Sequence, residues 1–202
     1  MQYLSAKDLC TRSAMQIKMF LEKPELKPKP NFNQQQGIIH QHKLIAKIPN
    51  VIGEEMGNYI EYRNFRLYFS NDILTKNSII EVKNIDPLRE ISDWYLKSSL
   101  VQCAIYSTLS YIVNYSFHTS KFFIDLGNEP KKHQYDSNNI DYYLYFGSDK
   151  YKVIVTNFAK IKEFIFNKIL ALEDWNRAKY FDSLFKRKEF DYLIQYFTVQ
   201  KL

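Results

Sequence analysis

Glu81-Val82-Lys83 ends the run Asn77-Ser-Ile-Ile-Glu-Val-Lys83, and its two charged residues are the first candidates for chemistry. Side chains on a strand alternate between faces, so Glu81 and Lys83 point one way and Val82 the other. Val82 can then anchor the strand while its neighbours face a cleft. Asp72, in Phe69-Ser-Asn-Asp72, lies a turn upstream, and a hairpin over 65–83 would bring it beside Glu81. Two close carboxylates are costly unless a cation neutralises them. Hard oxygen ligands suit magnesium or manganese. Such an ion polarises a phosphoryl oxygen and lowers the pKa of a bound water. Lys83 would orient that water or stabilise charge developing on phosphorus. His40, in Gly37-Ile-Ile-His40, can add a nitrogen ligand and tilt the preference toward manganese. Gln102 and Tyr106 stand at i and i+4, hence on one face of a helix, within reach of phosphate, Lys83 or the attacking water.

Each of these residues also has a plainer reading. Glu-x-Lys on a strand is most often a surface ion pair, and Asp72 could cap a turn. His40 has His42 as a near rival. Gln102 and Tyr106 could be a helix surface and a core-edge aromatic. The order and spacing of the whole set carry the reading of a metal-dependent phosphodiester-cleaving centre.

The elements that must position this set follow from periodicity. Ser5-Ala-Lys-Asp8 reads as a capping-box variant opening a helix over about 6–22. Lys23-Pro-Glu-Leu-Lys-Pro-Lys-Pro30 cannot continue it and reads as extended, a linker or a phosphate-contacting loop. A second helix over 34–48 carries His40. Residues 59–69 alternate as a strand broken by a turn at Arg63-Asn64, a second turn follows at 74–78, and 79–83 is a short β-branched strand. Trp94 to Asn114 reads as a long helix with aliphatic residues at 96, 100, 104, 105, 109, 112 and 113. Downstream, 121–126, 142–146 and 151–155 read as strands, 127–139 as a loop and 147–150 as a tight turn. Residues 158–175, 176–186 and 189–197 read as helices.

At 202 residues the chain suits one domain, with core motifs over 5–115 and a divergent part over 116–202. Its 46% hydrophobic and 16% aromatic content supplies a core, and five glycines are too few for a Gly-rich chain. The net charge of +6 suits an anionic partner such as nucleic acid. Cys10 and Cys103 cannot form a disulfide framework or a four-thiolate site. The N-terminus has no apolar signal core, and no stretch approaches the ~20 apolar residues of a bilayer span. The expected setting is soluble, reducing and cytoplasmic, with no membrane partner.

The order of these residues resembles the RecB-type branch of the PD-(D/E)XK nuclease superfamily, and most of all its small CRISPR-associated exonucleases. Leu4-Ser5 with Cys10-Thr11-Arg12 resembles the family's opening motif, and Gly37-Ile-Ile-His40 its helical histidine motif. Leu67-Tyr-Phe-Ser-Asn-Asp72 resembles its Gly-x-x-Asp motif, with Ser70 near the glycine's place. Ile79-Ile-Glu81-Val-Lys83 resembles the Glu-x-Lys strand and Gln102-x-x-x-Tyr106 the last motif. The resemblance covers about residues 5–106. It implies an α/β fold: a restriction-endonuclease-like core, with a central mixed β-sheet flanked by helices and a helical C-terminal extension. It implies His40, Asp72, Glu81 and the Val82 carbonyl as ligands of Mg2+ or Mn2+, and Asp72, Glu81, Lys83, Gln102 and Tyr106 as catalytic-site residues. The implied activity is a metal-dependent deoxyribonuclease, an exonuclease on single-stranded DNA ends. The implied partners are DNA and a helicase, repair or CRISPR-adaptation protein. The relatives hold an iron–sulfur cluster through four cysteines. Here no cysteine follows Cys103, so no cluster is expected and both thiols read as buried. The alternatives are a non-catalytic DNA- or protein-binding module on a nuclease fold, and an RNA-directed nuclease.

Overall fold

The stretch 51–83 is rich in β-branched and aromatic residues and folds as three antiparallel strands. The computed structural model describes residues 1–28, 44–75, 77–85, 92–115, 140–185 and 188–202. Strand β1 spans Gln2–Ser5, β2 Val51–Tyr62, β3 Phe65–Thr75 and β4 Ser78–Lys83. Helix α1 spans Ala6–Thr11, α2 Ala14–Glu22 and α3 Asp93–Tyr115. Strands β5 (Asp141–Phe146) and β6 (Asp149–Val155) follow, then helices α4 (Phe158–Ala171), α5 (Trp175–Phe185) and α6 (Glu189–Leu193), and strand β7 (Phe197–Lys201). The seven strands form one mixed sheet flanked by helices. Among the described residues no helix is long and apolar enough to cross a membrane.

The sheet has a fork in it. β2 lies antiparallel along the whole of β3. The other side of β3 is shared: β1 runs parallel to it over Phe65–Tyr68, and β4 runs antiparallel to it at Ile73–Leu74. β4 then pairs in parallel with β5, which needs a long crossover, and α3 lies within it. β6 and β7 continue the sheet antiparallel. The core joins Leu4 and Leu67 of the first strands to Leu9, Cys103, Ile105 and Leu109 of the helices and Leu144 of β5.

The β2–β3 ribbon also rolls. Phe65, Leu67 and Phe69 enter the core at one end of β3, whereas Leu74, opposite Ile79, enters it at the other. These sets differ in parity, yet the register with β2 is unbroken from Tyr62↔Phe65 to Gly53↔Leu74. Strand twist supplies the change. The face bearing Arg66, Tyr68 and Ser70 is the less buried one, and it turns into the helix layer by Leu74. Asp72 sits at the turnover.

Several expectations change. Helix 6–22 is two helices, because Ser13 takes an extended conformation and caps α2 in a capping box with Gln16. Ser5 makes no side-chain cap, and Asp8 instead binds Arg12 and Lys27. The 23–28 segment holds a 3-10 turn at Pro24–Leu26 rather than extended chain throughout. The C-terminal part is not simply helical: β5, β6 and β7 extend the central sheet, and the helix expected over 189–197 gives way to a 3-10 turn and β7. The strand expected at 121–126, the loop at 127–139 and the 34–43 part of the second helix, His40 included, lie outside the described residues.

Candidate active site

The centre forms where β3 and β4 part. Ile73 pairs with Ile80 and Leu74 with Ile79, and the ladder then stops. Continued, it would set Asp72 opposite Glu81 and offer Val82 N–H the carbonyl of Asn71. Instead that N–H donates to Asp72 Oδ2 at 2.7 Å. A side-chain carboxylate thus takes the place of a ladder acceptor and holds the fork open. The carbonyls of Asn77 and Lys83 turn toward β5 and accept from Asp141 and Gly147. Lateral directions alternate along a strand, so the Val82 carbonyl lies, like its N–H, on the Asp72 side.

Glu81 is buried on the α3 side of β4, opposite Leu144 of β5. Its Oε1 accepts from Lys83 Nζ at 2.5 Å and from Gln102 Nε2 at 2.7 Å. Burial alone would lower the Lys83 ammonium, but Glu81 and Asp72 outweigh it and hold Lys83 above its ordinary value. Gln102 also hydrogen-bonds Tyr106, whose hydroxyl is pushed well up by burial and by Glu81. Tyr106 meets the ring of Phe69 at 6.1 Å, which ties α3 to β3. Cys103, beside Gln102 on the helix, is raised well above its usual range by burial and by Glu81.

Five of the residues singled out in the sequence therefore converge: Asp72, Glu81, Lys83, Gln102 and Tyr106. Val82 contributes backbone rather than side chain. The His40 assignment lies outside the described residues. Sequence reasoning missed Tyr95, whose hydroxyl bears on Lys83 and whose ring packs on Phe146 at 5.4 Å. The signal was available: Tyr95 stands seven residues, two helical turns, before Gln102.

Among the described residues no group of three or more histidine, cysteine or acidic side chains assembles. The donor set is two carboxylates and one carbonyl. Hard, mostly hydrated cations such as magnesium are held in this manner, by one or two carboxylates with water and substrate oxygens completing the shell. A carboxylate has two oxygens and about four lone-pair sites. Accepting a hydrogen bond therefore does not by itself bar either carboxylate from coordinating a cation. The residues fit such an ion. No protein-family model matches the chain, and no curated protein matches it.

Proposed function

We propose that the chain is a metal-dependent nuclease of the PD-(D/E)XK kind, hydrolysing phosphodiester bonds in DNA. The observation that carries the reading is the joining of Asp72, Glu81 and Lys83 at the β3–β4 fork, with Gln102 reaching Glu81 from α3. The order α2, β2, β3, β4, α3, β5, with an antiparallel meander and then a parallel strand, supports it as the core arrangement.

Asp72 and Glu81 would hold the ion, with the Val82 carbonyl beside them. Bound there, magnesium or manganese would polarise the phosphoryl oxygen and acidify an attacking water. Lys83, 2.5 Å from Glu81, stands where its ammonium can donate a hydrogen bond to the charged oxygens of the transition state. Gln102 and Lys83 both donate to Glu81 Oε1, so the acid has little rotamer freedom. Tyr106 keeps its proton far above neutral pH and serves as a neutral hydrogen-bonding group.

The test is digestion of end-labelled linear and circular DNA with Mg2+, Mn2+ or EDTA. Wild-type protein should cut with either ion and not in EDTA. Lys83→Ala and Glu81→Gln should each lose about 10²–10³ in rate, the size of a lost transition-state stabiliser. Unchanged cleavage by both folded variants overturns the assignment. Cleavage of RNA but not of DNA moves it to an RNA substrate.

A further inference from the structure

An aromatic row lies on the solvent side of the same strand. Tyr3 of β1 stacks on Tyr68 of β3 with ring centroids 5.7 Å apart and planes at 28°. Tyr59 of β2 meets the other side of Tyr68, also at 5.7 Å. The Arg66 guanidinium lies 4.7 Å from the Tyr59 ring and 5.9 Å from the Tyr3 ring. Glu61 holds it there through Nε at 2.9 Å and through a second, shorter contact from Nη2. The registers explain the gathering: Tyr3 is opposite Arg66, and Tyr59 is opposite Tyr68. Tyr3 is 63% exposed.

This row shares a face with the candidate centre. Arg66, Tyr68, Ser70 and Asp72 alternate onto one side of β3. Tyr68 and Asp72 are four residues apart, roughly 13 Å at ~3.3 Å per residue. That span is about four stacked nucleotides at ~3.4 Å each. Among the described residues of the strand pair, Ser70, which is exposed, and Gly57 across from it stand between them, and both are small.

We propose that Tyr3, Tyr59, Tyr68 and Arg66 form a stacking track for the bases of single-stranded DNA, leading along β3 to the Asp72–Glu81–Lys83 centre. The inference rests on the nuclease reading for its choice of a nucleic-acid ligand. The chemistry favours a single strand. Tyr3, stacked on Tyr68 from behind and exposed on its outer side, offers a face to an unpaired base, whereas a duplex keeps its bases stacked on one another. With Arg66 already paired to Glu61, the row contributes stacking surface more than net charge. The chain's overall +6 supplies the attraction for phosphate.

The experiment is fluorescence anisotropy of a labelled oligothymidine, measured in EDTA so that cleavage is silent, alongside a duplex and an oligouridine. Tyr3→Ala and Tyr68→Ala should weaken oligothymidine binding about 5- to 100-fold each, while Tyr3→Phe and Tyr68→Phe keep it. Tyr3→Ala, on the most exposed ring, keeps the test valid if Tyr68→Ala does not fold. Alanine variants that are folded yet bind as wild type overturn the track, and cleavage by wild type then leaves the nuclease reading standing. Binding that falls in the alanine variants of a chain that cuts nothing supports the track and removes the nuclease reading. Tighter binding of duplex or of oligouridine, or no binding of oligothymidine by wild type, overturns the assignment to single-stranded DNA.

Discussion

Glu81 accepts hydrogen bonds from Lys83 and Gln102, and these two donors differ in what they cost to lose. Lys83 is a charge, so its removal leaves a buried carboxylate without its cation, whereas loss of Gln102 removes a neutral donor. The same low-dielectric surroundings silence the two thiols. Cys10 donates to the Ala6 carbonyl at 3.1 Å, and burial pushes it up to about 12. Cys103 is raised well above its usual range, by burial first and then by Glu81. A raised thiol pKa means less thiolate at a given pH. At pH 8, four pH units below 12, roughly one Cys10 in ten thousand would be ionised. Native protein at that pH should therefore leave Ellman's reagent almost unreacted, and guanidinium should release two thiols. Reactivity should climb only as the pH rises past the ordinary value of 9.0. A thiol that reacts quickly in the native chain would show that the packing of α1 against α3 opens readily.

Elements are tied together here by polar groups that reach across the chain. Lys168 of α4 is fully buried, donating to Leu9 O of α1 at 3.0 Å and to Glu189 Oε2 of α6 at 2.6 Å. Burial raises the Glu189 carboxyl, with Lys168 opposing it, so the pair is held in place against its own desolvation. Breaking one side of a buried pair typically costs about 3–5 kcal/mol, while an apolar replacement of both is often neutral. Lys168→Ala should lower stability in urea titrations by that amount, and Lys168→Met with Glu189→Leu should recover most of it. Equal loss in the single and double variants would show that packing, not charge, sets the cost. Such long-range ties also mark where the sequence stops being legible. β4 could be read from its short β-branched run, and α3 because the 3.6 period repeats over many residues. The break between α1 and α2 was written in Ser13-x-x-Gln16, although Ser5 drew attention first. Asp182, which caps α2 by accepting from Ala14 and Met15 N–H at 2.7 and 3.0 Å, leaves no local pattern. Neither does β1, four residues paired with β3, nor the Asp72 carboxylate standing in for a backbone acceptor.

For the whole molecule, the rolling ribbon decides where chemistry can occur. β2 and β3 leave a two-residue turn, with Arg63 in the left-handed region at φ 53°, and run in unbroken register to Leu74. By then the face that began in solvent has entered the helix layer, and Asp72 meets Glu81 on the way. A one-residue shift of register exchanges the two faces of a strand. Inserting one alanine between Ser70 and Asn71 should therefore abolish the proposed cleavage by turning Asp72 from the fork. One alanine inserted between Arg63 and Asn64 lengthens only the turn and should leave the rate within about tenfold of wild type, because surface loops tolerate insertions. Equal activity in the two insertions would show that the ribbon absorbs the extra residue locally. Length, then, is itself a constrained quantity in this hairpin. A residue gained or lost between the tip and Asp72 shifts the centre, whereas one gained at the tip does not, because the strand works as a screw whose phase is set at one end and read at the other.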